Sequence, residues 1–330
     1  MSAFANLNAP TPLGVEHPAQ SWRGSGRLSQ PAERIVSLLP SATEIVCALG
    51  LADRLVAVTH ECDYPADEIK GLPRITGNLL PVEVQGSREI DAAVRAAVGG
   101  GHGLYSLDDA LLADLEPDLI LTQELCSVCA VAYPAVLEAA RAAGGEDGPM
   151  VVSLEPHRLD DVFATIELVG RLVGVGERAG EVVGALRRRL GEVNTPAHRP
   201  RVAVIEWFDP LFAPGHWVPE QVELAGGQSV LGTVGERSVE GSWDGVAAAD
   251  PELVVLGLCG FDLDQSLAEW SAFEPPEALR STTAWRDSHV WAIDGSAYVS
   301  RPGPRLIAGV EILASILAER PDPRGVRIPV

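Results

Sequence analysis

Short apolar runs bounded by turn residues alternate along this chain with segments whose apolar residues recur at helical spacing, and that alternation restricts the fold to the α/β class. RIVSLL (34–39), RLVAVT (54–59), DLILT (118–122) and MVVSL (150–154) read as buried strands, with helices predicted over 87–98, 106–115 and 133–143 between them. Ser41 and Glu44 have capping-box spacing, which sets a helix start after the first strand, with Gly50 as its stop. A helical zone then runs from Leu159 to about Val193, interrupted only at Gly174-Val175-Gly176. The rhythm restarts with the strands RVAVIEW (201–207), LVVLGL (253–258) and HVWAID (289–294), and with helices over 219–225, 243–248 and 304–319.

The middle zone lacks the polar, Gly-rich composition of a flexible hinge. Its apolar residues, Val162, Ile166, Val169 and Val173, then Val182, Leu186 and Leu190, predict a rigid helical connector. The expected architecture is therefore α/β, with two strand-helix lobes built on parallel sheets, a helical connector joining them and a ligand cleft between. Expected boundaries are a disordered arm over 1–32, a first lobe over 33–157, connecting helices over 158–195 and a second lobe over 196–330. Ligands of parallel α/β sheets lie beyond the C-terminal strand ends, so the informative loops are 38–44, 60–65, 123–130, 207–220, 259–263 and 295–303.

Charge excludes several function classes. The net charge of −21 comes with no basic block, which argues against nucleic acid and anionic membrane surfaces. Lys70 is the sole lysine, which argues against Schiff-base chemistry. No stretch approaches the roughly 18 consecutive apolar residues of a membrane span. The first 33 residues are rich in Pro, Gly, Ser and Ala and lack the charged start and apolar run of a secretory signal. They predict a cytoplasmic protein, or a periplasmic or extracellular one if a signal is missing from this sequence. Five cysteines, an odd number with one C-x-x-C, do not form the pattern of a disulfide-stapled secreted domain. Phosphate-loop, G-x-S-x-G and H-E-x-x-H motifs do not occur.

Four cysteines fall in strand-end loops: Cys62, Cys126, Cys129 and Cys259. Two thiolates spaced C-x-x-C before a helix start can face one ion, and the helix N-terminus favours the thiolate. Convergence of all four would make a site for zinc or an iron–sulfur cluster; the alternatives are thiols without metal and a reversible disulfide. Cys47, on an apolar helix face, reads as a small core residue. His60, Glu61 and Asp63 add donors beside Cys62, and His216 is the matching imidazole in the second half. Trp207, Phe208, Phe212 and Trp217 cluster in one segment and Tyr298 lies in another. Either they form a satellite core, or Trp207, Trp217 and Tyr298 make a flat wall for a planar ligand. Arg301 suits a ligand carboxylate or phosphate as well as a surface ion pair.

RIVSLLPSATEIVCALGLADRLVAVTHECDYP, together with the helical connector, resembles the substrate-binding proteins of bacterial ABC importers whose lobes are joined by a rigid helix. Within that group the chain is most similar to cobalamin-type members. EWFDPLFAPGHWVPEQVELAGG, LGLCGFD and DGSAYVSRPGPRLIAGVEIL resemble the second lobe of the same family, so that the likeness spans residues 33–320. The resemblance implies a small-molecule receptor that closes only slightly on a bulky cobalamin, haem or metal-chelate ligand, with an ABC permease as partner if the chain is exported. The leading expectation is a non-enzymatic corrinoid-binding protein. The alternative is a cytoplasmic metalloprotein or enzyme with zinc or an iron–sulfur centre held by Cys62, Cys126, Cys129 and Cys259.

Overall fold

The computed structural model describes residues 22–25, 28–80, 86–99, 103–124, 131–145, 148–320 and 322–330. The chain divides into two compact units. Unit 1 comprises Met1–Pro81, Val94–Pro156 and Asp160–Val183, and unit 2 comprises Val82–Ala93, His157–Leu159 and Gly184–Val330.

Unit 1 is built on β1 (Trp22–Ser25), β2 (Ile35–Ser37), α1 (Pro40–Ala48), β3 (Leu55–Val58) and β4 (Thr76–Asn78). Helix α2 (Ser87–Gly99), which begins in unit 2, precedes β5 (Tyr105–Leu107), α3 (Asp109–Asp114), β6 (Leu119–Thr122), α4 (Tyr133–Gly144) and β7 (Met150–Leu154). The main sheet has the order β1-β7-β6-β2-β3, parallel except for β1, which pairs antiparallel with β7. Its parallel strands β2, β3, β6 and β7 are predominantly apolar and buried, as strands covered by helices on both faces are. Val36, Ala57, Ile120 and Val151 are buried against Leu112 and Val136 of the flanking helices. Each such Val, Leu or Ile side chain contributes about 1.5–3 kcal/mol when fully buried.

Two local expectations change. Residues 22–25, assigned by sequence to a disordered arm, form β1 and cover the β7 edge, while 1–21, 26 and 27 lie outside the described residues. The capping box at Ser41 is absent. Pro40 takes the first helical position, for which its fixed φ and missing N–H suit it, so Leu39 is the N-cap and Ser41 and Glu44 are buried inside the helix.

The zone between the sheets is helical, as its periodicity predicts: α5 (Leu159–Leu172) and α6 (Gly176–Gly191). Gly174, at φ +77°, makes the break, and a side chain there would meet the Pro31 ring at 2.9 Å.

Unit 2 continues with β8 (Arg201–Ile205), β9 (Trp207–Phe208), β10 (Leu211–Ala213), α7 (Val218–Leu224), β11 (Gln228–Ser229), β12 (Val239–Glu240) and α8 (Trp243–Ala249). It ends with β13 (Leu253–Leu256), α9 (Leu263–Ala272), α10 (Glu277–Arg280), α11 (Thr283–Arg286), β14 (Val290–Ile293), α12 (Leu306–Leu317) and β15 (Gly325–Arg327). The main sheet runs β11-β8-β13-β14-β15, parallel except for β15. A small antiparallel sheet, β12-β10-β9, grows from the end of β8. Phe208, 1% exposed, stacks on Phe273 with ring centres 4.6 Å apart and anchors an aromatic core with Trp243 and Trp270.

Candidate functional site

Strand order marks a candidate site in unit 2. From β8 the chain pairs first with β11 on one side, then returns to β13 on the other. Connections leaving adjacent strands in opposite directions open a crevice beyond the C-terminal strand ends. The segments leaving those strands carry Trp207, the first residue of β9, and Phe261, five residues past the end of β13. Their rings meet edge to face at 5.3 Å, a favoured aromatic geometry. The loops are tied at the backbone by Cys259 N–H donating to Glu206 O at 2.9 Å. The next strand, β14, leads to a wide helical turn over Ser296–Ser300 that contains half-buried Tyr298. Ser296 N–H donates to Phe261 O at 2.9 Å. Gly295 lies so close that a Cβ would sit 2.1 Å from Leu258 O. Three neighbouring parallel strands thus each deliver an aromatic residue to one edge of the sheet.

Trp207 is half-buried, and its indole is fixed by a contact that sequence does not announce. Its Nε1–H donates to Ser87 O at 3.0 Å. Ser87, at the start of α2, gives its backbone N–H to Glu269 Oε1 at 2.8 Å and its hydroxyl to the same oxygen. Beside it, Arg88 Nε donates to Asp209 Oδ2 at 2.7 Å. Asp294, Arg301 and Arg305 flank Tyr298 in sequence, and Arg324 also lies within electrostatic reach of it. Burial pushes the Asp294 carboxyl up, opposed by the Ala297 amide that it accepts at 2.7 Å and by the positive charge of Arg305 and Arg301.

The expected aromatic wall is only partly assembled. Trp217 is 5% exposed and donates its Nε1–H to Val299 O at 2.7 Å, so it is a core residue at the start of α7 rather than a wall. The helix explains this: Gln221, one turn on, bonds Leu306 O and Tyr298 O, which draws the segment against α12. His216 is half-buried at φ +49°, with its ring 5.7 Å from His157 and 5.4 Å from Trp217. Its Nε2 is buried without a hydrogen-bond partner among the described residues. Desolvation, then the charges of His157 and Arg237, lower its pKa from 6.5 to about 4. It is neutral at physiological pH.

In unit 1, His60 follows β3. Its Nδ1 is 2.7 Å from Thr76 Oγ1, its ring is 5.3 Å from Tyr105, and Nε2 is 3.1 Å from Glu61 Oε1 without hydrogen-bond alignment. The antiparallel β4–β5 pair that supplies Thr76 and Tyr105 was not legible in sequence, because both strands are three residues long and separated by α2. Glu61 and Asp63 are exposed.

The four-cysteine centre is not assembled among the described residues. Cys126 and Cys129 lie outside them. Cys62 is 3% exposed, in contact with Thr43 Oγ1 at 3.1 Å, whereas Cys259 is exposed on unit 2. No group of three or more His, Cys, Asp or Glu among the described residues could hold a metal ion. Cys47 is buried, and its thiol is pushed up to about 12, first by desolvation and then by Glu68.

The periplasmic binding protein family model matches residues 35–297, and the chain belongs to that family. It is 25% identical over 300 residues to the vitamin B12-binding protein of Vibrio cholerae serotype O1, covering 87% of this chain and 90% of that protein. The solved periplasmic vitamin B12-binding protein of Vibrio cholerae superposes with a TM-score of 0.58 at 23% identity, covering 88% of this chain and 98% of that one. The periplasmic haem-binding protein of Roseiflexus sp. RS-1 superposes at 0.64 and 22% identity, covering 87% and 98%. The two superpositions show the α/β fold of paired strand-helix units with parallel sheets. The resemblance to cobalamin-type substrate-binding proteins of ABC importers is upheld. Nothing in these relatives supports zinc, an iron–sulfur cluster or the expected cytoplasmic location. No helix among the described residues is long and apolar enough to cross a membrane.

Proposed function

We propose that the protein is the receptor for a corrinoid, delivering it to an ABC permease. One observation supports this reading most: Trp207, Phe261 and Tyr298 leave the ends of three adjacent parallel strands at the topological switch point of unit 2. Flat apolar faces with few charges suit a large macrocycle, and Arg301 supplies one cation for a peripheral polar group. In unit 2, His216 beside His157 is a polar contributor that this reading keeps. Trp217 contributes by holding the start of α7 rather than by touching ligand. The relatives named as vitamin B12-binding, one of them periplasmic, support both the ligand class and a place outside the cytoplasm.

Calorimetric titration with cyanocobalamin, hemin and a ferric hydroxamate tests the ligand. Saturable binding of cyanocobalamin alone is the expected result. Binding of hemin with a shifted Soret band, and none of cyanocobalamin, would replace the corrinoid by haem. Fractionation of cells producing the native protein tests location, with recovery in the soluble cytoplasmic fraction counting against export.

A further inference from the structure

The indole of Trp207 is not held by its own strand. Its one polar atom reaches out of the β9–β10 hairpin to the carbonyl of Ser87, a residue 120 positions earlier in sequence. That carbonyl has a fixed position because both donors of Ser87, which is 3% exposed, go to a single oxygen of Glu269 on α9. A carboxylate at a helix start is favoured, since it accepts an otherwise orphaned N–H and faces the positive end of the helix dipole. The second side of the indole is limited by Phe261, which precedes α9 by two residues. Ring and carboxylate therefore belong to one rigid piece of unit 2, and they act on Trp207 from two directions.

We propose that Glu269 and Ser87 are positioning residues for ligand binding: by fixing the Ser87 carbonyl they set the rotation of the Trp207 indole that presents its face to the macrocycle. This rests on the reading that Trp207 touches the ligand. An aromatic wall that is already oriented loses less entropy when the ligand arrives, which raises affinity without a new contact. Glu269 thereby contributes to affinity without touching ligand, and no sequence motif marks it, because its partner lies 182 positions away. The neighbouring pair Arg88–Asp209 is exposed on the arginine side; it steadies the same turn weakly.

The test uses the full chain, with cyanocobalamin as probe and fluorotryptophan-labelled protein for fluorine NMR, the Trp207 resonance being assigned by its loss in W207F. W207A should weaken binding by more than roughly tenfold, and E269A by roughly three- to tenfold, through lost preorganisation. E269A should also shift or broaden the Trp207 resonance. E269Q, whose amide oxygen can accept both Ser87 bonds, should restore affinity and resonance. In a W207F background, which keeps a ring but loses the N–H, E269A should add nothing further, because the two changes remove one interaction. If W207A weakens binding while E269A leaves affinity and resonance unchanged, the positioning role is overturned and the ligand contact stands. If W207A leaves affinity unchanged, the contact is overturned, and with it any role of Glu269 in binding. Equal losses from E269A in the wild-type and W207F backgrounds would assign Glu269 a general structural role and overturn the proposal.

Discussion

Two side chains that a sequence reader would place side by side, His216 and Trp217, do different things because one residue separates a turn from a helix. Trp217 is nearly fully buried, and its N–H satisfies the Val299 carbonyl. Trp217→Ala should cost about 3–5 kcal/mol, the range for large aromatic truncations. Urea unfolding would read that loss, while cyanocobalamin affinity of the folded variant stays within about twofold of wild type. His216 stands in the left-handed region, which Asn tolerates, so His216→Asn is the gentle replacement. In the fold its imidazole titrates near 4, against 6.5 for the ordinary side chain. Between those values the unfolded chain binds a proton that the folded chain refuses, so stability falls as pH drops through the window from 6.5 to about 4 and is fully present above it. Urea midpoints measured across that window should fall less steeply for His216→Asn than for wild type. Equal slopes would show that the imidazole is already solvated in the fold.

At the scale of elements, the same local pattern succeeded at one helix and failed at another. A capping residue followed three positions later by Glu or Gln occurs at Ser41–Glu44 and at Asp262–Gln265. Only the second forms: Asp262 Oδ1 accepts from Gln265 N–H at 2.8 Å, and Gln265 Oε1 accepts from Asp262 N–H at 3.0 Å. Pro40 pre-empts the first by opening α1 two positions early, with Leu39 as N-cap. Asp262→Ala should therefore cost about 1 kcal/mol, while Ser41→Ala should show no loss of a cap. Hydrogen exchange of the first-turn amides of α9 and α1 would separate the two. Strands β2, β3, β6, β7, β8, β13 and β14 were legible because burial on both faces leaves an apolar run with clear ends. The β4–β5 pair, edge strand β1 and the small β9–β10–β12 sheet were not, being two to four residues long, and β1, β4, β5 and β12 have partners far off in sequence. In the candidate site, local spacing shows that Trp207 stands at a strand end, whereas the Ser87–Glu269 contact and the His157–His216 pairing depend on residues that no local spacing brings together.

For the whole molecule, charge and ligand act through different terms and can be tested together. The net charge of −21 is spread along the chain, so it makes the potential around the protein negative. It disfavours polyanions, and retention on a heparin column at low salt would contradict this. A corrinoid that binds the folded state alone stabilises it by RT ln(1 + [L]/Kd), about 2.7 kcal/mol at a hundredfold excess over Kd. Thermal unfolding should then shift upward with cyanocobalamin in a concentration-dependent manner, and the shift should survive high salt because stacking and burial, unlike exposed charge pairs, are weakly screened. W207A should reduce the shift at fixed cyanocobalamin concentration, and W217A should lower the starting midpoint but keep the shift. An equal shift with zinc or ferrous ion alone would point instead to metal binding by the protein itself. That result would be traced to Cys126 and Cys129 by repeating the melt on the Cys126→Ser/Cys129→Ser variant. With cyanocobalamin, the double variant should melt with the same upward shift as the wild-type chain.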